Sequence, residues 1–293
     1  MTQQKDSLSD LHRKVDAIDD QIHDLLMRRA KLADMIGQHP ERATHDDGAL
    51  AQPARKAEIL RRIVRRHAGS LPVRSLVRVW CELLAAGPGE RGTMHVYAGE
   101  QAVLYRDLAR TYFGSLMPTV SHASATAVLH ACSDQPQAMG IVPLAASGDD
   151  SVSWWAHLAP AGHPGPRVVA QVPFVPDDGV DPPYPQAFAV AALEQEPTGD
   201  DTTLLLLETE GELSRTRLQN LLQQSGFEAQ ILAAGGEPGK RISHLLLVNK
   251  GFVGAQDPRL AAFVAKAGET ILRVAPVGGY ANPLDEKGQG SQP

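Results

Sequence analysis

Apolar residues recur at steps of three and four along the first forty positions: Leu8, Leu11, Val15, Ile18, Ile22, Leu25, Leu32 and Ile36. That spacing predicts one amphipathic helix over residues 8–37. Ser7, with Asp10 three residues on, predicts a capping box, and Gly37 supplies a stop. One position breaks the stripe. Between Leu25 and Leu32 the pattern asks for an apolar residue and finds Arg29. A guanidinium keeps its charge when buried, so Arg29 snorkels to water, pairs with a core acid or holds an anion. A helix of this length spans roughly 45 Å. No other segment of the first ninety residues is long enough to cover it. An uncovered stripe of that length predicts a second copy of the chain packed along it, a homodimer through the first helix.

The polar stretch QHPERATHDDGALAQP then predicts a loop. A second helix is expected from Pro53 to His67, with Ala57, Leu60 and Val64 on its apolar side. It is strongly basic, and Arg61, Arg62, Arg65 and Arg66 read as a solvated face. Arg55 and Lys56, in its first turn, are expected to face back toward the first helix. Gly69-Ser70 breaks the chain, and Leu71-Pro72 opens a third helix carrying Leu76, Val79, Trp80 and Leu83. AAGPGERG closes it as a linker. From Met94 the period changes: short apolar runs alternate with helical stretches, the pattern of an α/β domain. Ser121 to Val128 reads as a loop entering a helix, either a plain turn or a seat for a carboxylate. After a proline-rich stretch with one strand, RVVAQVPF, the runs from TTLLLLETE to TILRVAPVGGY follow the order βαββαβ.

Charge sharpens this division. Residues 1–92 hold 16 Lys and Arg against 13 Asp and Glu, whereas residues 93–293 hold 12 against 21. The overall balance of −6 argues against general nucleic-acid binding, leaving only the basic second helix as a minor candidate. Cys81 and Cys132 form no metal or redox motif, and the histidines show no metal spacing. No apolar run approaches the roughly 20 residues of a membrane span, and the polar N-terminus lacks a signal pattern. A cytoplasmic chain without metal, cofactor, nucleic acid or membrane partner is expected.

Three helices carrying LHRKVDAIDDQIHDLLMRRAKLADMIG, PARKAEILRRIV and VRVWCELLAAG resemble the all-helical chorismate mutase family over residues 8–87. The resemblance implies rearrangement of chorismate to prephenate within one molecule, an isomerase reaction in phenylalanine and tyrosine biosynthesis that needs no nucleophile or cofactor. The substrate is a dianion, so cations in a dry helical core would orient it and stabilise charge at the ether oxygen. Arg29 falls on the family's carboxylate-binding arginine, and Arg55 on the arginine that opens the second helix. The early arginine, which reaches the partner's site, falls on His12, with Arg13 beside it. The lysine after the glycine falls on Pro40, with His39 before it, and the second-helix glutamate falls on Lys56. The late polar residues fall near Gly87 and Arg91. The resemblance thus implies catalytic roles for Arg29, Arg55, Lys56 and His39, and substrate binding by Arg13, His12 and Arg29.

MGIVPLAASGDDSVSWWAHL resembles prephenate dehydratase, which follows a chorismate mutase domain on one chain in some bacteria. Ser147 is retained, but Ala145 and Ala146 replace a glutamate and an asparagine. The threonine–arginine–phenylalanine motif falls on Gln186, Ala187 and Phe188. That loss implies a dehydratase fold without dehydratase activity. The βαββαβ run resembles an ACT regulatory domain, and Gly278-Gly279-Tyr280 resembles the glycine–serine–tyrosine ending of dehydratases. The expected architecture is multidomain: an all-α three-helix domain over 1–92 in an intertwined dimer, an α/β domain over 93–198, an α+β ACT-like domain over 199–281, and a disordered tail over 282–293. The other reading of the whole is a non-catalytic chain that binds an aromatic-pathway metabolite or a partner enzyme.

Overall fold

Helix α1 (Leu8–Gly37) opens with the capping box that Ser7 and Asp10 predict: the Ser7 hydroxyl accepts from the Asp10 amide at 3.2 Å, and the Asp10 carboxylate accepts from the Ser7 amide at 3.2 Å. In this computed structural model the described residues are 7–39, 52–87, 92–99, 101–135, 137–144, 154–175, 183–210, 213–236 and 242–284. α1 forms one compact unit and buries none of its residues. Its apolar stripe, from Leu8 to Ile36, is between 46% and 70% exposed.

The second unit begins with α2 (Pro53–Arg66), which starts on a proline at its first position, and α3 (Val73–Ala85). Both pack on the α/β body that follows. Ala57, Leu60 and Val64 of α2 and Val77 and Cys81 of α3 share one core with α4 (Ala102–Phe113), through Leu108, Tyr112 and Phe113. The packing border therefore falls before α2, whereas the sequence patterns place a change of domain at residue 92.

Among the described residues the body holds a nine-stranded sheet. Strands β1 (Met94–Tyr97), β2 (Thr119–His122) and β3 (Met139–Pro143) run parallel, with β1 between the other two. β5 (Ala187–Ala191) lies antiparallel between β3 and β4 (Arg167–Val172). Alternation along the strands sorts residues between two faces. Met139, Ile141, Ala187 and Ala189 face the core of α2, α3 and α4. Val142, Phe188 and Val190 face α5 (Ala125–Asp134) and the short 3₁₀ turn Trp154–His157. Gly140 is required by this packing, because a Cβ there would stand 2.5 Å from Val128 of α5.

The C-terminal elements follow the expected order: β6 (Asp201–Glu210), α6 (Arg215–Gln224), β7 (Ala229–Gly236), β8 (Ile242–Lys250), α7 (Pro258–Ala267) and β9 (Ile271–Ala281). Their strands line up as β9-β6-β8-β7, all neighbours antiparallel, which is the split βαβ arrangement of a ferredoxin-like unit. The unbroken apolar run of β6 is explained by cover on both faces. Leu204 and Leu206 enter the core shared with α5, and Leu205 and Leu207 pack with Leu218, Leu222 and Phe263 of α6 and α7.

The two halves of the sheet join at one register pair, Val168 of β4 with Gly278 of β9. A Cβ at Gly278 would lie 2.0 Å from the Val168 carbonyl oxygen, so the pair of glycines before Tyr280 marks a close backbone approach. Asn282 and Leu284, which the sequence assigns to a disordered tail, are tied down instead. The Asn282 amide donates to Asp200 Oδ1 at 2.6 Å, and the Leu284 N–H donates to the Phe174 carbonyl at 2.8 Å. The remainder of the tail, from residue 285, lies outside the described residues.

Candidate functional site

Each residue assigned to substrate handling has a definite place within its own unit. On α1, His12 and Arg13 are exposed, and Arg13 forms an ion pair with Asp10. Hydrogen bonds from Ser7 hold the Asp10 carboxyl below the usual carboxylate range. Arg29 is half-buried. His39 follows the end of the helix, its amide bonded to the Ile36 carbonyl at 3.1 Å, with its side chain exposed. Pro40 and Arg91 lie outside the described residues.

On α2 the two adjacent cations part company. Arg55 is exposed and pairs with Glu58 at 2.9 Å. Lys56 is only 3% exposed. Consecutive residues of an α-helix point about 100° apart, and the buried stripe of α2 takes Lys56 together with Ala57, Leu60 and Val64. The expectation that Lys56 faces the first helix is thereby corrected. Its ammonium donates to the Tyr112 carbonyl and lies 3.9 Å from the Tyr112 ring centroid and 5.0 Å from that of Phe113. Burial pulls its pKa below the ordinary lysine range, opposed by the neighbouring Cys81 and Glu82. Burial likewise pushes the Cys81 thiol up.

Arg61 departs further from expectation. The sequence reading places it on a solvated face with Arg62, Arg65 and Arg66, and those three are exposed. Arg61 is 8% exposed. It donates to Thr198 Oγ1 at 2.7 Å, to the Asp200 carbonyl at 2.6 Å and to the Asn282 carbonyl at 3.0 Å. The spacing carries the signal: Ala57, Leu60, Arg61 and Val64 stand at i, i+3, i+4 and i+7, which is one face of a helix.

In the α/β body, the segment that carries Ala145, Ala146 and Ser147 lies outside the described residues. Gln186 is exposed, and Ala187 and Phe188 are buried on opposite faces of β5. Tyr280 packs its ring 5.7 Å from Phe188, and burial pushes its phenol up to about 12. Within the stretch Ser121 to Val128, Ser124 caps α5 by accepting from the Ala127 amide at 3.2 Å. The sequence reading missed a histidine pair: His95 Nδ1 and His122 Nε2 stand 2.8 Å apart, with His95 3% exposed. Burial first, and then His95, pull the His122 pKa down. Among the described residues, no group of three or more His, Cys, Asp or Glu has the arrangement to hold a metal, and no helix is long and apolar enough to cross a membrane.

Comparison with known proteins places these cations in context. Two bifunctional chorismate mutase/prephenate dehydratases are similar to this chain. That of Aquifex aeolicus is 31% identical over 114 residues, covering 37% of this chain and 31% of the relative. That of Neisseria gonorrhoeae is 32% identical over 123 residues, covering 41% of this chain and 33% of the relative. The chain thus spans about a third of the length of the curated relatives it matches. Among solved structures, a prephenate dehydratase from Arthrobacter aurescens in complex with L-Phe aligns over 68% of this chain and 92% of its own, with 13% identity and a TM-score of 0.47. The family model described as chorismate mutase type II matches residues 11–87, the segment that holds Arg13, Arg29, Arg55 and Lys56. Residues 11–87 of this chain are accordingly similar to the chorismate mutase type II family.

Proposed function

We propose that the chain rearranges chorismate to prephenate, in a site built by its N-terminal helices from two copies of the chain. The observation that carries this reading is Arg29, half-buried on an otherwise apolar and exposed stripe, inside the segment that matches the mutase family. A second α1 laid along that stripe would take its apolar residues out of water and close a drier site around the guanidinium. There Arg29 holds a substrate carboxylate. Arg55 stands in the exposed first turn of α2, and Arg13, His12 and His39 lie on the exposed surface of α1, available to a second copy or to substrate. The reaction requires a folded dianion and positive charge at the breaking ether bond, and fixed cations supply both. Lys56, bonded to the Tyr112 carbonyl, acts here by holding α2 against α4 more than by touching substrate.

The C-terminal body, with Gln186 and Ala187 in place of a threonine and an arginine, has no dehydratase activity in this reading, and its βαββαβ unit is an ACT-like domain. The chain works in the cytoplasm, where chorismate and prephenate are its small-molecule partners. The other reading, a non-catalytic chain that binds an aromatic-pathway metabolite or a pathway enzyme, is favoured by the departures at His12, Pro40 and Lys56.

Chorismate turnover by the purified full chain and by Arg29→Leu tests the proposal. The leucine completes the apolar stripe, so the fold is retained, while turnover falls about 10²-fold or more. Unchanged turnover in a destabilised variant would make Arg29 structural. If the wild type lacks turnover but chorismate raises its melting temperature, the binding reading replaces the catalytic one.

A further inference from the structure

Two histidines meet at the edge of the sheet. β2 is the edge strand and, among the described residues, pairs only with β1. His95 lies opposite Val120 in that pairing, and strand alternation puts His122 on the same face as Val120. The rings therefore come together: His95 Nδ1 stands 2.8 Å from His122 Nε2, and the ring centroids are 5.0 Å apart. His95 is buried, whereas His122 is partly exposed.

Such a contact between two ring nitrogens needs one proton between them. The far nitrogen of His95 decides which ring carries it. His95 Nε2 is buried with no hydrogen-bond partner among the described residues. A proton there would be an unmade buried donor, which is unfavourable. The proton of neutral His95 therefore sits on Nδ1 and is donated to His122 Nε2, and His122 keeps its own proton on Nδ1. An imidazolium carries N–H at both positions. Protonated His122 thus turns a second donor on the Nδ1–H of His95. Either His95 moves its proton to the buried Nε2, or the rings part.

No carboxylate or cation among the described residues acts on His122 to relieve this conflict; burial and His95 are what shift it. Gly140 of β3 lies beside His95, and the space over Gly140 is filled by Val128 and Cys132 of α5 and Val190 of β5. Burial pushes the Cys132 thiol up to about 12, so it stays neutral. His130 and Asp134 of α5 are exposed. β2, β3 and β5 carry no other titratable side chain. α4, with Arg106, Asp107, Arg110 and Tyr112, packs on Met94 and Val96, which alternate with His95. Tyr97, opposite His122, meets Tyr105 of α4 edge-on at 5.6 Å.

We propose that His95 and His122 form a pH-sensitive clasp: a proton taken up by His122 parts the rings and releases the end of β2, with the turn that leads into α5. Burial first, and then His95, hold the His122 pKa below its ordinary value. The released strand therefore binds more protons than the closed one. The closed form is favoured above the ordinary histidine value of about 6.5 and yields as the pH falls below it. A backbone bond reports the release, because the Ala98 N–H donates to the His122 carbonyl at 2.8 Å.

Amide hydrogen exchange of the full chain, referred to intrinsic rates, tests this. Between about pH 7.5 and about pH 5, the protection of the Ala98 amide falls about threefold or more. The Leu284 amide, bonded to the Phe174 carbonyl, keeps its protection over the same range. His122→Gln supplies an acceptor that does not titrate, and Ala98 protection becomes independent of pH. In His95→Phe the clasp is absent, and the His122 ring, followed by NMR, titrates at a higher pH than in the wild type. Protection of Ala98 that does not change with pH in the wild type would overturn the proposal. So would a pH dependence that survives His122→Gln, or a His122 titration unmoved by His95→Phe. An equal loss of protection at Leu284 would also overturn it, by showing a general loosening in acid.

Discussion

Helices α1 and α2 are both amphipathic, yet α1 buries no residue and α2 buries five. The shorter helix finds its cover within the chain, against α3, α4 and the sheet. The longer one presents Leu11, Val15, Ile18, Ile22 and Leu25 at 46% to 61% exposure. Periodicity states that a stripe needs cover; it does not state which molecule supplies it. The same comparison separates two kinds of buried or half-buried cation. Arg61 donates through both terminal nitrogens to three acceptors inside one chain, whereas Arg29 sits on a stripe whose proposed cover is another copy.

The largest contrast is expected between Leu60→Ala and Leu25→Ala. Leu60 is completely buried, so its truncation costs about 2–5 kcal/mol at any protein concentration. Leu25→Ala acts through association instead: its melting temperature depends on concentration more steeply than that of the wild type. Denaturation of both variants across a hundredfold range of concentration, about 0.5 to 50 μM, separates the two. Equal concentration dependence for both would remove the distinction between the helices.

Next in size is the effect of charge on the stripe itself. Ile18→Glu combined with Ile22→Glu puts carboxylates where the partner's apolar side chains would lie. Light scattering should report half the wild-type mass, with the α2 core and its cooperative melt retained. A wild type already at the monomer mass of 31.4 kDa would end the two-copy site.

Lys56→Met sharpens the comparison from the other side. The folded-state pKa of Lys56 lies below its ordinary value, so folding disfavours the charged form. For this group the unfolded chain binds more protons, and stability rises with pH up to the unfolded value near 10.4. Methionine removes that dependence and keeps the volume, so the variant is as stable as the wild type or more so at pH 7. Its stability, followed by denaturant titration between pH 7 and 10, should rise less steeply than that of the parent.

The smallest effect is expected at the start of α1. Ser7→Ala removes the hydroxyl that accepts from the Asp10 amide, at a cost of about 1 kcal/mol or less. Amide exchange should quicken in the first turn of α1 alone.

Much of this architecture was legible in the sequence. The long stripe, its cap, the three helices, the change of period at Met94 and the βαββαβ order all follow from spacing and punctuation, which are local properties. What escaped depended on the partner of each face. The three-four period identifies Lys56 and Arg61 as neighbours of apolar positions, but only the packed body places a Tyr112 carbonyl and the Asn282 carbonyl where those cations end. The two glycines before Tyr280 invited a motif reading. The physical reason for Gly278 is the Val168 backbone, more than a hundred residues earlier in the chain, and for Gly279 it is the Gln195 side chain and the Thr202 carbonyl.

The bonds of Arg61 set an order of events during synthesis. Its acceptors lie 137, 139 and 221 residues downstream. At roughly 5–20 residues per second, the Asn282 carbonyl is made about 10–45 s after the guanidinium that it receives. Throughout that interval α2 has its sequence complete and at least one of the Arg61 acceptors missing, and contacts of such long separation close slowly. The nascent chain must therefore shield a basic, amphipathic helix until Asn282 has been added.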